Sequence, residues 1–393
     1  MTQRKLEPSC IRSAASSAQT RNNCRRTGAP ASYVERFFTM LRQIRLEAST
    51  VCQLKCPVCP TARGIIRNEL GSGYLTLARF RELVDRNPHI SCIELSNWGE
   101  VFLNPEIYEI VEHAYKQNVV LTAANGSNFQ FVSEKVLEGL VRYKFGLIVC
   151  ALDGASQETY GRYRVGGDFQ KAIRHIEIIN SFKERYRSPF PLLRWQFILF
   201  GHNERDIPSA RAYAKKLRMS FRIRPNFDES YSPITNSGPI RKKSRSGVSS
   251  PNGYLKSHRT MWLEKHLCGE LWRSPQINWD GRILGCCINY WGDFGNAFGR
   301  SLRDALNCPQ LLRAKMMLQG KAEPQEGIPC ATCHVYQRMR SANDWIKDRD
   351  ILVGRLVNKE FLCLLIQRIG WRRLEPLLRV IGTIGNRLLS ELA

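Results

Sequence analysis

Three cysteines lie close together near the start of the chain, Cys52, Cys56 and Cys59, in the spacing C-x3-C-x2-C. Thiolates are soft ligands, so such a loop suits an iron–sulfur cluster or a zinc ion. A structural zinc site normally closes with four protein ligands, whereas a [4Fe–4S] cluster held by three thiolates leaves one iron open to a small molecule. The spacing alone leaves a zinc loop, or three unrelated thiols, as open alternatives.

A second set of four cysteines follows far downstream: Cys268, Cys286, Cys330 and Cys333. They form a C-x12-G-x4-C segment followed by a distant C-x2-C pair. Four thiolates can close a [4Fe–4S] cluster with no open iron, and a zinc ribbon with four cysteine ligands is the alternative. Cys287 stands beside Cys286, and adjacent thiols rarely bind one metal well, so we take Cys287 as a neighbour. Cys308 and Cys363 are poor substitutes for further ligands.

Six candidate ligand-binding residues stand at or just after the ends of predicted strands between the two cysteine sets: Gly99, Glu100, Asn125, Ser127, Asp153 and Arg164. A Gly–Glu pair at a strand end lets backbone approach a ligand closely and offers a carboxylate to an ammonium group. A guanidinium suits a carboxylate, because its fork can bind both oxygens. Each residue alone also has an ordinary interpretation: a turn residue for Asn125 or Asp153, and a solvated surface charge for Arg164.

Extended and helical patterns alternate between the cysteine sets and must position these residues. Period-two and apolar runs predict strands at 41–48, 91–96, 119–123, 145–152, 194–200 and 221–224. Helical spacing predicts helices at 76–87, 106–117, 133–143, 169–185 and 207–217. Such alternation predicts an α/β fold of parallel βαβ units, here a partial (β/α)6 TIM-like barrel. Chemistry in parallel barrels sits on the loops after the strands, where the first cysteine loop lies.

The cysteine loop and the strand-end residues resemble the radical S-adenosylmethionine (radical SAM) superfamily over roughly residues 41–340. Gly99 and Glu100 resemble its Gly-Gly-Glu motif, with Trp98 in place of the first glycine, and Asn125-Gly126-Ser127 resembles its Thr-Asn-Gly segment. The family carries an aromatic residue before the third cysteine, near adenine, where this chain has Val58.

The resemblance implies a SAM-binding [4Fe–4S] cluster on the first three cysteines. It also implies SAM contacts from the six strand-end residues, with Glu100 at the amino group and Arg164 at the carboxylate. The implied reaction begins when the cluster passes one electron to SAM and the C–S bond breaks. The resulting 5′-deoxyadenosyl radical then takes hydrogen from an unactivated C–H bond. No residue can be assigned as a substrate base.

The second cysteine set resembles the SPASM/twitch extensions of radical SAM enzymes. A full SPASM module has additional cysteines for a second auxiliary cluster, and this chain lacks that set. The twitch form, with one auxiliary [4Fe–4S] cluster, is therefore the better match. The resemblance implies that this cluster accepts an electron from the substrate radical or holds the substrate.

Composition divides the chain into five predicted regions. Residues 1–32 read as a disordered basic extension, 33–229 as the barrel, 230–263 as a basic linker, 264–340 as the SPASM/twitch module, and 341–393 as an amphipathic helical tail. The tail is expected to pack as a helical cap, with contact to an anionic membrane surface as the alternative. No run of 18 apolar residues occurs that would predict a transmembrane helix.

The charge and the cysteine usage bear on partners and location. The formal net charge of +24 suggests anionic partners, although a merely basic soluble protein fits as well. Fourteen cysteines grouped by ligand spacing indicate metal chemistry in a reducing compartment, and we expect a cytoplasmic protein. Expected partners are a small-molecule or peptide substrate and an electron donor such as flavodoxin or ferredoxin. The competing hypothesis is a non-enzymatic, zinc-binding nucleic-acid protein, but no nucleic-acid-binding motif supports it, so nucleic acid is not expected.

Overall fold

The computed structural model describes residues 41–226, 228, 230–235, 262–351 and 370, with only the backbone for 262–264. The predicted extension at 1–32, most of the predicted linker and most of the predicted tail lie outside the described residues. Their assignments stay predictions.

Eight strands form one sheet: β1 Gln43–Leu46, β2 Cys92–Glu94, β3 Val120–Ser127, β4 Leu147–Ala151, β5 Leu192–Leu199, β6 Ser220–Pro225, β7 Gln276–Ile277 and β8 Ile283–Gly285. The strand order is β6-β5-β4-β3-β2-β1-β7-β8. All neighbouring strands are parallel except β7 and β8, which pair antiparallel. Among the described residues the sheet does not close, because β6 and β8 form its two edges. The predicted α/β fold with a partial barrel is confirmed.

Twelve α-helices lie in the described residues: α1 Ile65–Leu70, α2 Leu77–Arg86, α3 Ile107–Lys116, α4 Glu134–Arg142, α5 Gln157–Tyr163, α6 Phe169–Arg185, α7 Ile207–Lys216, α8 Trp262–Cys268, α9 Glu270–Arg273, α10 Leu302–Ala305, α11 Pro309–Leu318 and α12 His334–Ser341. Side-chain oxygens cap several of them. Thr76 accepts a hydrogen bond from the Arg79 N–H at the start of α2, and Ser133 does the same for Val136 at α4.

The core lies between the outer face of the barrel strands and the surrounding helices. Ile44 and Leu46 of β1 are fully buried there, as is Trp195 of β5. Because strand side chains alternate between faces, the intervening residues point into the barrel, as Arg45 of β1 and Glu47 directly after it do. The polar residues of the strands therefore face the lumen.

All six predicted strands and all five predicted helices are present, with ends that differ by a few residues. Strand β3 runs on to Ser127, so Asn125 and Ser127 belong to the strand and do not follow it. The short helices α1 and α5 and the strands β7 and β8 were not predicted. Segments of two to seven residues are too short for periodicity to identify.

The second cysteine module continues the barrel sheet. Strand β7 pairs in parallel with β1, with Arg45 opposite Gln276 and Leu46 opposite Ile277. The two cysteine sets are thereby tied to the same strand, since the first cysteine loop follows β1 directly.

Within the part of the chain that the structure describes, none of the helices has the length and apolar character that crossing a bilayer requires.

Candidate functional site

Backbone hydrogen bonds anchor the first cysteine loop on both sides. The Glu100 N–H donates to the Val51 carbonyl at 2.8 Å, and the Lys55 N–H donates to the Val165 carbonyl at 3.0 Å. The loop is thus fixed between the segment after β2 and the segment after α5. These anchors hold its thiols at the carboxyl ends of the strands.

The three thiols of this loop lie together in one mostly apolar cluster. Cys56 is buried in a cluster with Leu54 and Phe200, and the half-buried Cys52 and Cys59 pack against this cluster. Burial raises the pKa of Cys52 to about 12, and the charges of Glu100 and the other two thiols add to the shift. A bound cationic cluster would favour the thiolate form of Cys52, which is the form that ligates metal. The donor set fits an iron–sulfur cluster.

Glu100 follows β2 in the chain, and its side chain lies against the end of β3, next to the cysteine loop. Its side chain is 2% exposed. The carboxylate accepts hydrogen bonds from the Ser127 hydroxyl at 2.6 Å and from the Asn128 N–H at 2.7 Å. Burial raises the pKa of Glu100, while these bonds act in the opposite direction. The structure therefore brings Glu100 and Ser127 together, and the hydroxyl of Ser127 is one of the groups that orient the carboxylate.

Gly99 lies against the backbone of the cysteine loop. A methyl group in place of its hydrogen would stand 2.1 Å from the Ser49 carbonyl oxygen and 2.8 Å from that of Val51. Backbone atoms cannot yield as a side chain can, so only glycine fits. This close approach is the structural reason for the glycine, and the SAM contact of Gly99 stays a prediction.

Gly99→Ala should displace the cysteine loop and cost the protein most of the iron bound at the first site. The iron of the second site, about four atoms, should remain. The control is Gly161→Ala in α5, where the added methyl group meets only the flexible end of Gln157 at 3.0 Å and alanine favours the helix. Iron analysis of both reconstituted variants tests this. Full iron content in Gly99→Ala would contradict this prediction, because the first site would then still bind its iron.

Asp153 and Arg164 form a buried ion pair beside Cys56. Two guanidinium nitrogens of Arg164, Nε and Nη2, each lie 2.6 Å from Oδ2 of Asp153. The third, Nη1, lies 3.7 Å from Cys56 Sγ, and the other oxygen of Asp153 accepts the Ile198 N–H at 2.6 Å. The carboxylate next to Arg164 in this structure thus belongs to the chain itself. Direct SAM contacts from Asp153 and Arg164 stay predictions.

Asn125 belongs to a polar chain that reaches the second module. Its side-chain amide donates to Oδ1 of Asn97 at 2.7 Å, and Nδ2 of Asn97 donates to the Cys287 carbonyl at 2.9 Å. Arg45 also donates to Oδ1 of Asn97, at 3.3 Å, and forms a 3.5 Å ion pair with Glu270. These contacts connect the barrel lumen to the peptide beside Cys286.

Sequence reasoning missed two residues of the site. Nδ2 of Asn128 lies 3.8 Å from Cys52 Sγ, while its Oδ1 accepts a hydrogen bond from Gln53 at 2.7 Å. Glu47 is buried and accepts hydrogen bonds from the N–H groups of residues 97–99, so it shapes the turn before Glu100. Their positions in the sequence could have indicated both residues, because Asn128 directly follows Ser127 and Glu47 directly follows β1.

The four cysteines of the second set line one cavity: Cys268, Cys286, Cys330 and Cys333. Apolar side chains form most of the remaining wall, among them Leu271, Leu318 and Tyr336. Burial raises the pKa of Cys330 to about 12, and the neighbouring thiol adds to this shift. Four thiols around an apolar cavity are a donor set that suits an iron–sulfur cluster closed on all four irons.

The remaining cysteines of this module do not line the cavity. The Cys287 N–H donates to Glu270 at 2.7 Å, and its carbonyl accepts the Asn97 amide. The Cys308 thiol donates to the Phe294 carbonyl at 3.3 Å.

Among the residues with described side chains, no three of His, Cys, Asp or Glu come close enough together to hold one metal ion.

Residues 268–334 match the family model of SPASM, described as an iron–sulfur cluster-binding domain. The second cysteine module is therefore similar to SPASM domains. The matched range begins at Cys268 and includes Cys333, so all four cavity cysteines lie within it. A search of the curated proteins finds no significant match.

Solved structures of SuiB from Streptococcus suis share the fold of about three quarters of the chain. SuiB itself matches with 12% identity and a TM-score of 0.55, covering 79% of this chain and 77% of SuiB. SuiB bound to S-adenosylmethionine matches with 12% identity and a TM-score of 0.53, covering 76% and 72%. SuiB bound to its precursor peptide SuiA matches with 13% identity and a TM-score of 0.52, covering 76% and 71%. The predicted barrel fold is thus shared with SuiB, and the predicted SPASM-type module matches the SPASM family model.

Proposed function

We propose that this chain is a radical SAM enzyme with two [4Fe–4S] clusters. The observation that carries the proposal is the meeting of three thiols after β1 with polar strand-end groups, in a barrel whose sheet continues into a SPASM domain. The first cluster is assigned to Cys52, Cys56 and Cys59. The auxiliary cluster is assigned to Cys268, Cys286, Cys330 and Cys333. SAM contacts are assigned to Gly99, Glu100, Asn125, Ser127, Asp153 and Arg164.

A three-thiolate cluster with SAM at its open iron supplies reductive cleavage of SAM to a 5′-deoxyadenosyl radical, which abstracts hydrogen from a C–H bond of the substrate. The residues around the loop bind and orient SAM, and they exclude water from the site. Leu54, Tyr163 and Phe200 pack with the three thiols and keep water from them. Arg164 directs one N–H group to Cys56, which stabilises negative charge on that sulfur.

Aromatic surface near the first site comes from elsewhere in the chain, since Val58 stands where the family carries an aromatic residue. Tyr163 and Phe200 have ring centroids 4.4 Å apart, and Tyr231 meets Phe200 edge-on at 5.5 Å. Val58 packs in the same cluster as these three rings. Phe200 is fully buried and Tyr231 is half-buried, so we assign the adenine contact to Tyr231, whose ring has a free apolar surface for stacking.

The test is formation of 5′-deoxyadenosine. Protein reconstituted anaerobically with iron and sulfide should convert SAM to 5′-deoxyadenosine and methionine in equal amounts when dithionite is added. The same protein loaded with zinc is the control and should form neither. Reconstituted protein that holds about eight iron atoms and leaves SAM intact would contradict the proposal.

Substrate, partners and location remain at the level of proposals. A peptide is one substrate class, supported by the shared fold with SuiB, which has been solved with its precursor peptide SuiA. A small molecule is the other. An electron donor such as flavodoxin or ferredoxin, membrane contact through residues 341–393 and a cytoplasmic location follow from the sequence alone. The zinc-binding nucleic-acid hypothesis has less support, because residues 268–334 match an iron–sulfur cluster-binding domain.

A further inference from the structure

Asn128 lies between Glu100 and Cys52 at the first cysteine site. Its backbone N–H donates to Oε2 of Glu100 at 2.7 Å, and its side-chain amide nitrogen, Nδ2, lies 3.8 Å from Cys52 Sγ. Asn128 is buried, so little water competes for these contacts. The negative charge of Glu100 adds to the raised pKa of Cys52, so the carboxylate and the sulfur disfavour each other's charge. Asn128 thus offers an N–H group to each of them.

The orientation of the Asn128 amide follows from a backbone donor. Its oxygen, Oδ1, accepts the backbone N–H of Gln130 at 3.0 Å and Nε2 of Gln53 at 2.7 Å. A backbone N–H can only donate, so the atom that faces Gln130 has to be the oxygen of the amide. The oxygen and the nitrogen cannot be exchanged here, and the group aimed at Cys52 is therefore an N–H donor.

The segment that carries Asn128 is held from both sides. The side chain of Gln130 donates to the Asn128 carbonyl at 3.2 Å and to the Asp168 carbonyl at 3.0 Å, and it accepts the Asp168 N–H at 2.9 Å. Phe129 is fully buried with a φ of 55°, and its ring packs 5.1 Å from that of Phe102. A buried residue keeps such a conformation only where its surroundings fix it. The fold thus sets the position of the amide.

A hydrogen bond to a ligating sulfur changes how readily an iron–sulfur cluster takes up an electron. Reduction adds negative charge to the cluster and its thiolates, and an N–H donor stabilises that charge, so the reduction potential rises. Arg164 directs a comparable group at Cys56, with Nη1 at 3.7 Å from Sγ. Two of the three sulfurs therefore have a side-chain N–H group directed at them, one from a cation and one from a neutral amide.

We infer that Asn128 raises the reduction potential of the first cluster through a hydrogen bond to Cys52, with Gln53 and Gln130 holding its amide in place. Asn128 acts through the sulfur, so it is a positioning residue and exchanges neither electron nor proton. A higher potential lets a weaker reductant deliver the electron and lowers the driving force for its transfer to SAM. The inference rests on the cluster that the proposed function assigns to the first loop.

The test is a redox titration of the reconstituted full-length protein without SAM, followed by electron paramagnetic resonance. The signal of the first cluster is the one that the variant with Cys52, Cys56 and Cys59 changed to alanine lacks. Asn128→Ser removes the amide and keeps a short side-chain oxygen that can accept the Gln130 N–H. Its first cluster should titrate at a lower potential than in the wild type. The auxiliary cluster is the internal reference and should keep its potential.

Thr61→Val is the matched control, because it removes a hydrogen bond beside the same loop that is not directed at a sulfur. The Thr61 hydroxyl donates to the Trp98 carbonyl at 2.7 Å. Both potentials of this variant should equal those of the wild type. Asn128→Asp keeps the result decisive if the serine variant does not hold its first cluster. It retains Oδ1 and replaces the N–H donor with a second carboxylate oxygen, so the potential of the first cluster should fall further.

Wild-type potentials in both Asn128 variants, or an equal shift of both clusters, would overturn the inference. Loss of the first cluster from both variants would also overturn it, in favour of a purely structural role for Asn128. The same samples are assayed for 5′-deoxyadenosine. A first cluster whose potential falls as expected in protein that leaves SAM intact contradicts the proposed function alone, whereas SAM cleavage with an unchanged potential contradicts the inference alone.

Discussion

Replacing Cys52, Cys56 and Cys59 together with alanine should abolish reductive cleavage of SAM and remove about half of the bound iron. The three thiols converge after β1 within one cluster, so they are expected to act as one ligand set. The four cysteines that line the cavity of the SPASM domain are a separate set and should keep about four iron atoms. Iron content and 5′-deoxyadenosine under dithionite are measured on the same anaerobic preparation.

The matched control removes two other thiols of the barrel, in a Cys92→Ala, Cys150→Ala variant. Both residues are buried in strands of the sheet and lie outside the two proposed sites. This variant should keep about eight iron atoms and its SAM cleavage. If the triple variant still formed 5′-deoxyadenosine, the assignment of the SAM-cleaving site to the loop after β1 would be wrong.

A Cys330→Ala, Cys333→Ala variant should lose the auxiliary cluster and still cleave SAM at the first site. A cluster closed by four thiolates has no vacant iron for SAM, so this module cannot be the cleaving site. The iron content should fall from about eight atoms to about four, and cleavage should continue without coupling to a substrate. Once the substrate is known, its turnover should fall much further than SAM cleavage does.

The control for this variant is Cys308→Ala, since that thiol lies in the same module and bonds to Phe294 outside the cavity. It should keep both clusters. A metal centre can also serve mainly to fold its module, so circular dichroism and melting are recorded for each variant. Loss of folding would favour the structural role. A folded variant without the auxiliary cluster but with full substrate turnover would refute a functional role.

The sequence predicted the local elements well because their signals are local. Helical spacing located α6 at residues 169–185 with both ends correct, and the Ser133 cap marked the start of α4. The three thiols of the first loop could be grouped because their spacing is short. The structure then placed Glu100 beside Ser127, two positions that the sequence had only assigned to neighbouring strand ends.

Contacts between distant segments could not be predicted. Nothing in residues 276–277 indicates that they pair with β1, since a two-residue strand has no periodicity of its own. The pairing of Arg164 with Asp153 depends on the path of α5, and that short helix gave no recognisable pattern. The close approach of Gly99 to the Ser49 carbonyl also joins distant segments, and its SAM contact stays a prediction.

Metal analysis of the protein, reconstituted anaerobically with iron and sulfide and analysed also for zinc, tests the central claim most directly. A site of three thiols and a cavity of four thiols, each holding a four-iron cluster, predict about eight iron and about eight sulfide atoms per chain with no stoichiometric zinc. One or two zinc atoms per chain with almost no iron would contradict the account.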